Sequence, residues 1–184
     1  MLRDLFLSLA KAFGYIEPIC SVKLEKPIPW IKKYGVPYSY MLEYYEHIGI
    51  EPMMESDEYI LNKFVYTTNN DGWAEVLPYL VLDSSLYKPD KFMCWGYALK
   101  AMILCHELFG LTTFLMAMQF ESVLDMERAA GHAYNIFPVW DEYAKKFESK
   151  PMLFEPNDAY EYAGNAFNLG ENKYNPSEIF AVGR

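Results

Sequence analysis

The stretch KFMCWGYALKAMILCHELFG, residues 91–110, decides the fold. Positions 94, 98, 101, 105 and 108 recur every three or four residues, which is the spacing of one helical stripe. Asp90 is a residue type that caps helices, and Gly110 is typical of a helix end. The sequence therefore predicts a helix over about 91–109.

The two cysteines of this helix occupy chemically different positions. A thiolate is stabilised at a helix N-terminus, beside the positive end of the helix dipole, and disfavoured at the C-terminus. Cys94 is therefore the candidate nucleophile, and Cys105 is interpreted as a core residue. His106 is interpreted as a residue of the last helical turn rather than a base.

The segments after this helix predict an antiparallel sheet. They are rich in β-branched and aromatic residues and are bounded by polar or turn-forming ones, and they cover residues 111–124, 131–139, 150–156 and 177–182. One long helix followed by such a meander predicts an α+β fold. We expect one domain over 1–184, with a mostly helical or irregular N-terminal part at 1–85 and a core at 88–184.

The first half of the chain gives weaker signals. Prolines predict an extended, turn-rich segment over 15–37, and 38–50 is predicted to be a helix that ends near Gly49. Residues 57–68 are compatible with a helix, and the NNDG motif that begins at Asn69 predicts a turn.

Residues 2–13 have apolar positions at helical spacing, with Gly14 placed to end the helix. Lys11 interrupts the apolar run, so we interpret this segment as an amphipathic helix rather than a signal peptide. Its apolar side is expected to pack on the chain's own core or to mediate association with a partner or a second subunit.

Composition narrows the class of function. Net charge is -9 with pI near 4.8, and no Lys/Arg cluster longer than a pair occurs, so nucleic acid is not an expected partner. The longest uncharged stretches, such as 108–120, are too short for a transmembrane segment. Three cysteines without a CxxC motif indicate a reducing, cytoplasmic environment, and the scattered histidines and cysteines predict neither a metal site nor another cofactor.

A cysteine nucleophile needs a base, and the chain has three histidines. His47 belongs to a predicted surface helix, whereas His132 begins the strand predicted at 131–139. In that strand His132, Tyr134 and Ile136 share one face. If the helix of Cys94 packs on this face, His132 meets Cys94 at the helix N-terminus.

The third group of such a site is an acceptor that orients the imidazole. Glu155 stands at the end of the strand predicted at 150–156, just before a proline. Asp158 follows three residues later, and Asn135 lies in the strand of His132. We take Glu155 as the orienting acid, with Asp158 and Asn135 as alternatives.

These motifs, CWGYALKAMILCHELFG, GHAYNIFPV and FEPN, resemble the transglutaminase-like superfamily of papain-type cysteine enzymes over about residues 88–158. That family has Cys-Trp opening a helix, then a His-Ala-aromatic strand, then Asp-Pro on the next strand. The corresponding pairs here are Cys94-Trp95, His132-Ala133 and Glu155-Pro156. Two departures are the Glu in place of Asp and the insertion at 140–150.

The resemblance implies that Cys94 is the nucleophile, His132 the general base and acid, and Glu155 the orienting acid. It also implies an oxyanion hole formed by the backbone N–H of Cys94 and an upstream side chain. Trp73 is the candidate for that donor, and Trp95 is a second aromatic residue expected at the groove.

The implied reaction is thiol-dependent acyl transfer on a peptide or protein amide, with hydrolysis favoured over transamidation by the resemblance. The alternative is a non-catalytic module of the same fold in a larger, for instance viral, assembly. A complete Cys-His-acid set favours the enzyme, whereas the apolar N-terminal helix and the tyrosine-rich first half favour the module.

Overall fold

The computed structural model describes residues 27–52, 64–89, 93–119 and 131–170, together with 174, 176 and 178–180. The segment predicted as an N-terminal helix, 2–13, lies outside the described residues. The helices are α1 (Tyr38–His47), α2 (Asn70–Val76) and α3 (Cys94–Phe109). The strands are β1 (Tyr34–Pro37), β2 (Glu51–Pro52), β3 (Phe64–Thr67), β4 (Leu115–Gln119), β5 (His132–Phe137), β6 (Trp140–Asp141), β7 (Lys146–Phe147), β8 (Met152–Phe154), β9 (Ala166–Asn168) and β10 (Glu178–Phe180).

The helix α3 has the predicted position but a later start. Its N-cap is Met93, whose side chain makes no capping hydrogen bond, so the prediction that Asp90 caps a helix from about 91 was wrong. Gly110 ends the helix in the left-handed conformation, with φ 65°, as the sequence predicted. Cys94 therefore occupies the first helical position.

Among the described residues, six strands form the main sheet in the order β2-β10-β4-β5-β8-β9. The four predicted strands are its central members, and all their mutual pairings are antiparallel. The short edge strand β2, which the sequence did not predict, pairs with β10 in parallel. Helices on a mainly antiparallel sheet confirm the α+β class.

The two faces of the sheet bury different helices. Ala133 and Phe137 of β5 belong to the apolar cluster that contains the core side of α3. Tyr134 and Ile136 belong to a second cluster with Met41 and other residues of α1. The helix of Cys94 therefore packs on the face opposite to that of Tyr134 and Ile136, contrary to the arrangement considered from the sequence.

Two local predictions in the first half were wrong. Residues 64–67 are the strand β3, paired with β1, and their side chains alternate between exposed and buried. The NNDG motif begins the helix α2, because the side chain of Asn69 accepts a hydrogen bond from the N–H of Gly72 at 3.0 Å and caps it. A Cβ at Gly72 would overlap Thr68, so the helix start needs a glycine there. Among the described residues, no helix has the length and apolar character to span a membrane.

Candidate active site

Cys94 lies at the N-terminus of α3 and is half-buried. The N–H groups of the first helical turn have no partner within the helix and point towards this end. The side chain of His132 and the backbone N–H groups of Ala133 and Trp95 lie close enough to the sulfur to lower the pKa of Cys94. Three polar groups therefore lie near the sulfur.

His132 is the first residue of β5, and Glu155 directly follows β8. The register of these strands pairs Asn135 with Phe154, which places Glu155 opposite Tyr134. Residues opposite each other share a face, and His132 lies two residues before Tyr134 on that face. Glu155 is thus diagonal to His132, and its side chain is long enough to reach it.

The imidazole Nε2 of His132 lies 2.8 Å from Oε2 of Glu155. Since Glu155 occupies Nε2, the other nitrogen, Nδ1, is left for the sulfur of Cys94. The carboxylate is buried, with 1% exposure, and its other oxygen, Oε1, accepts the N–H of Asn157 at 3.1 Å. The three predicted groups are therefore adjacent, with His132 between Cys94 and Glu155.

The site stabilises the ionised forms of both Cys94 and His132. Partial burial alone would raise the pKa of Cys94, but the hydrogen bond and charge of His132 and the N–H of Ala133 outweigh it, so the pKa is lowered. Burial likewise opposes the charged imidazole, but Cys94 and Glu155 raise the pKa of His132 to about 9. The two shifts favour a thiolate beside an imidazolium over the neutral pair.

Three tyrosine rings surround the imidazole, and the sequence analysis had assigned none of them to the site. The ring centroids of Tyr134, Tyr160 and Tyr174 lie 5.6, 5.2 and 5.5 Å from that of His132. Tyr160 is 45% exposed and forms the solvent side of the site, whereas Tyr134 and Tyr174 are buried. Tyr134 lies two residues from His132 in the same strand, whereas Tyr160 and Tyr174 come from distant parts of the sequence and no local signal marked them.

The alternative orienting groups have other partners. Asp158 is exposed, and its Oδ1 accepts the backbone N–H of Ser84 at 2.7 Å. Asn135 is buried on the other face, where its Nδ2 donates to the carbonyls of Ala98 at 2.9 Å and Leu115 at 3.2 Å. It ties α3 to the sheet and does not orient His132.

Trp73 is not placed as an oxyanion donor, which corrects the assignment made from the resemblance. Its indole N–H donates to the carbonyl of Pro138 at 3.1 Å, and its ring is buried against Phe114 and Phe137. Trp73 lines a cavity of about 370 Å³ near Phe137, at the end of β5 opposite His132. Trp95, next to Cys94, is 39% exposed and remains a candidate groove residue.

The remaining described cysteine and histidines lie away from the nucleophile. Cys105 is fully buried, and burial raises its pKa well above the ordinary value, which is the property of a core thiol. His106 contacts the carbonyl of Phe114 through Nε2 at 2.9 Å, and His47 is exposed at the end of α1. Within the described ranges, no group of three or more His, Cys, Asp or Glu residues is arranged to hold a metal ion.

Comparison with known proteins finds no family model that fits this sequence and no curated protein that matches it. The chemistry of Cys94, His132 and Glu155 therefore carries the functional conclusion.

Proposed function

We propose that this protein is a transglutaminase-like, papain-type cysteine enzyme that hydrolyses amide bonds by acyl transfer to Cys94. The observation that carries the proposal is His132 hydrogen-bonded to Glu155 at 2.8 Å and close enough to Cys94 to lower the pKa of its thiol. A nucleophile, a base and a buried orienting carboxylate in contact are the parts that covalent acyl transfer needs.

In the first step, the thiolate of Cys94 attacks the carbonyl carbon of the substrate, and the carbonyl electron pair moves onto oxygen. The imidazolium of His132 gives its proton to the leaving amine as the C–N bond breaks, which leaves a thioester on Cys94 and a neutral imidazole. In the second step, that imidazole takes a proton from water, and the oxygen of the water attacks the thioester. The acid leaves, and the thiolate and imidazolium are restored.

The helix start supplies stabilisation for the oxyanion. The backbone N–H of Cys94 is at the first helical position, where the helix offers it no carbonyl partner. A preorganised N–H directed at the developing negative charge lowers the barrier. The N–H of Trp95, one residue further along the helix, instead helps to lower the pKa of Cys94.

A generic ester tests the proposal without knowledge of the natural substrate. Mixing the protein with p-nitrophenyl acetate should release a burst of about one equivalent of nitrophenol, with the acetyl group found on the Cys94 peptide by mass spectrometry. Cys94→Ala should abolish the burst and leave the fold intact. Cys105→Ala is the matched control, since it removes a thiol of the same helix that is buried and distant from His132, and it should retain the burst.

A natively folded wild-type protein with no burst, or an undiminished burst in Cys94→Ala, would reject the enzyme in favour of a non-catalytic module. Adding a primary amine such as dansylcadaverine to the acetylated protein measures how the thioester partitions. Release of acetate over amide formation is the outcome expected for a hydrolase.

A further inference from the structure

Tyr174 makes a contact with the candidate site that is separate from the three groups above. Its phenolic O–H donates to Oε2 of Glu155 at 3.2 Å, the same oxygen that lies 2.8 Å from Nε2 of His132. The side chain is buried, with 8% exposure. Burial and the charge of Glu155 raise the pKa of Tyr174, so the phenol stays protonated and acts as a donor.

Three groups donate hydrogen bonds to the buried carboxylate of Glu155. Oε1 of Glu155 accepts the N–H of Asn157, and Oε2 accepts both the imidazole of His132 and the phenol of Tyr174. An ionised carboxylate with 1% exposure is stable only when its oxygens are hydrogen-bonded. The phenol fixes the second acceptor position of Oε2 and thereby limits the rotation of the carboxylate away from His132.

The other two tyrosines on the imidazole do not share this contact. The hydroxyl of Tyr134 donates to Oε1 of Gln119 at 3.4 Å, and Tyr160 is exposed at the solvent side. Tyr134 therefore resembles Tyr174 in its buried ring and its distance from His132, but its hydroxyl points to a different partner. It provides a matched control for the loss of one phenolic oxygen.

We propose that Tyr174 is a positioning residue that holds Glu155 against His132 and so maintains the thiolate of Cys94. This inference rests on the proposed function, because the positioned pair serves acyl transfer. If the carboxylate moves, the imidazolium loses its anion and the thiolate loses its cation. The pKa of Cys94 then rises towards its ordinary value.

Alkylation of Cys94 by iodoacetamide measures this effect without any substrate. The rate of labelling is followed by mass spectrometry of the Cys94 peptide and rises with pH as the thiol ionises. This rising part of the pH–rate profile is the acid limb. Tyr174→Phe should move this limb to higher pH and lower the rate on the limb about fivefold, as for loss of one hydrogen bond. Tyr134→Phe should leave the limb in place.

A double-mutant cycle separates positioning from general loss of packing. Glu155→Gln alone should shift the limb, and adding Tyr174→Phe should then cause no further shift, because the phenol acts through the carboxylate. The proposal is overturned if the limb of Tyr174→Phe is unchanged or moves to lower pH. It is also overturned if Tyr134→Phe causes an equal shift, or if Tyr174→Phe still shifts the limb in the Glu155→Gln background. If Tyr174→Phe lowers the native fraction, a ring-fluorinated tyrosine can be placed at position 174 instead. It has nearly the same shape and is a stronger hydrogen-bond donor, so it should move the limb to lower pH.

The two assays distinguish failure of the Tyr174 proposal from failure of the proposed enzyme. A shifted limb in a protein without an ester burst would keep the positioning role and reject the hydrolase. A burst without a shifted limb would keep the hydrolase and reject the positioning role.

Discussion

Replacing Glu155 by glutamine tests the electrostatic basis of the candidate site. The change keeps the size of a side chain that is 1% exposed, and it removes the charge that lies 2.8 Å from Nε2 of His132. Burial by itself lowers the pKa of His132, while Cys94 and Glu155 raise it to about 9. Without the carboxylate charge, burial is opposed by Cys94 alone, so the pKa of His132 should fall.

The size of the effect follows from the type of hydrogen bond. A hydrogen bond to a charged group contributes about 1.5–3 kcal/mol, which corresponds to a roughly ten- to hundredfold smaller population of the thiolate–imidazolium pair. The rate of acyl transfer to Cys94 should fall by the same factor. The loss should be smaller than in Cys94→Ala, because the carboxamide oxygen can still accept a hydrogen bond from His132.

The assay combines an NMR titration of the histidine ring protons with the ester burst. His47 and His106 serve as internal controls in the same spectra, since the hydrogen bonds of the Glu155 side chain go to His132, Asn157 and Tyr174. A His132 pKa that stays near 9 in Glu155→Gln, or an unchanged burst rate, would refute the assignment of Glu155 as the orienting acid.

Two further predictions concern pH and Trp73. Hydrolysis should fall as pH rises through about 9, because His132 then loses the proton that the leaving amine needs. Alkylation of Cys94 should begin below the thiol's ordinary pKa of 9.0. The pH–rate profiles of both reactions check this, and an alkylation rate that rises only at the ordinary pKa would contradict it. Trp73→Phe removes the hydrogen bond to Pro138, so it should lower the free energy of unfolding, measured by urea titration, by about 1–3 kcal/mol. The kcat should not change. A lower kcat at unchanged stability would instead support Trp73 as an oxyanion donor.

The sequence predicted the long, periodic elements better than the short ones. The helix α3 was found because its apolar stripe and Gly110 are local signals, and residues 115–119 and 132–137 lie within predicted strands. The alternation of exposed and buried residues in Phe64–Thr67 is a strand signal of only four residues, too short to stand out in the longer segment 57–68.

The NNDG motif shows a different limit. Asn favours both turns and helix N-caps, because in each its side chain accepts a nearby backbone N–H. The residues that follow include Trp73, Val76 and Leu77, which are buried and have helical spacing. Burial of these side chains favours the helix α2 over a turn. Local chemistry at Asn69 alone did not distinguish the two.

Motif order was sufficient to select Cys94, His132 and Glu155, but not the groups that support them. Tyr174 is 19 residues beyond Glu155 in sequence, and its contact depends on how the chain returns to β10 beside β4. The contact joins a buried phenol and a buried carboxylate from separate parts of the sequence. Such a pair carries no spacing rule that the sequence could reveal.

The position of α3 on the sheet explains how His132 reaches Cys94 from the opposite face. Asn135 anchors Ala98 to β5, and Cys94 lies one helical turn before that anchor, next to the N–H of Ala133. His132 is the first residue of this strand, and its side chain is close enough to Cys94 to lower the pKa of the thiol. The antiparallel pairing of β5 and β8 brings Glu155 to the same end. The nucleophile, base and acid therefore lie together where the start of a helix meets the ends of two neighbouring strands. Displacing α3 from Asn135 should separate the thiol from the imidazole without disturbing the His132–Glu155 pair.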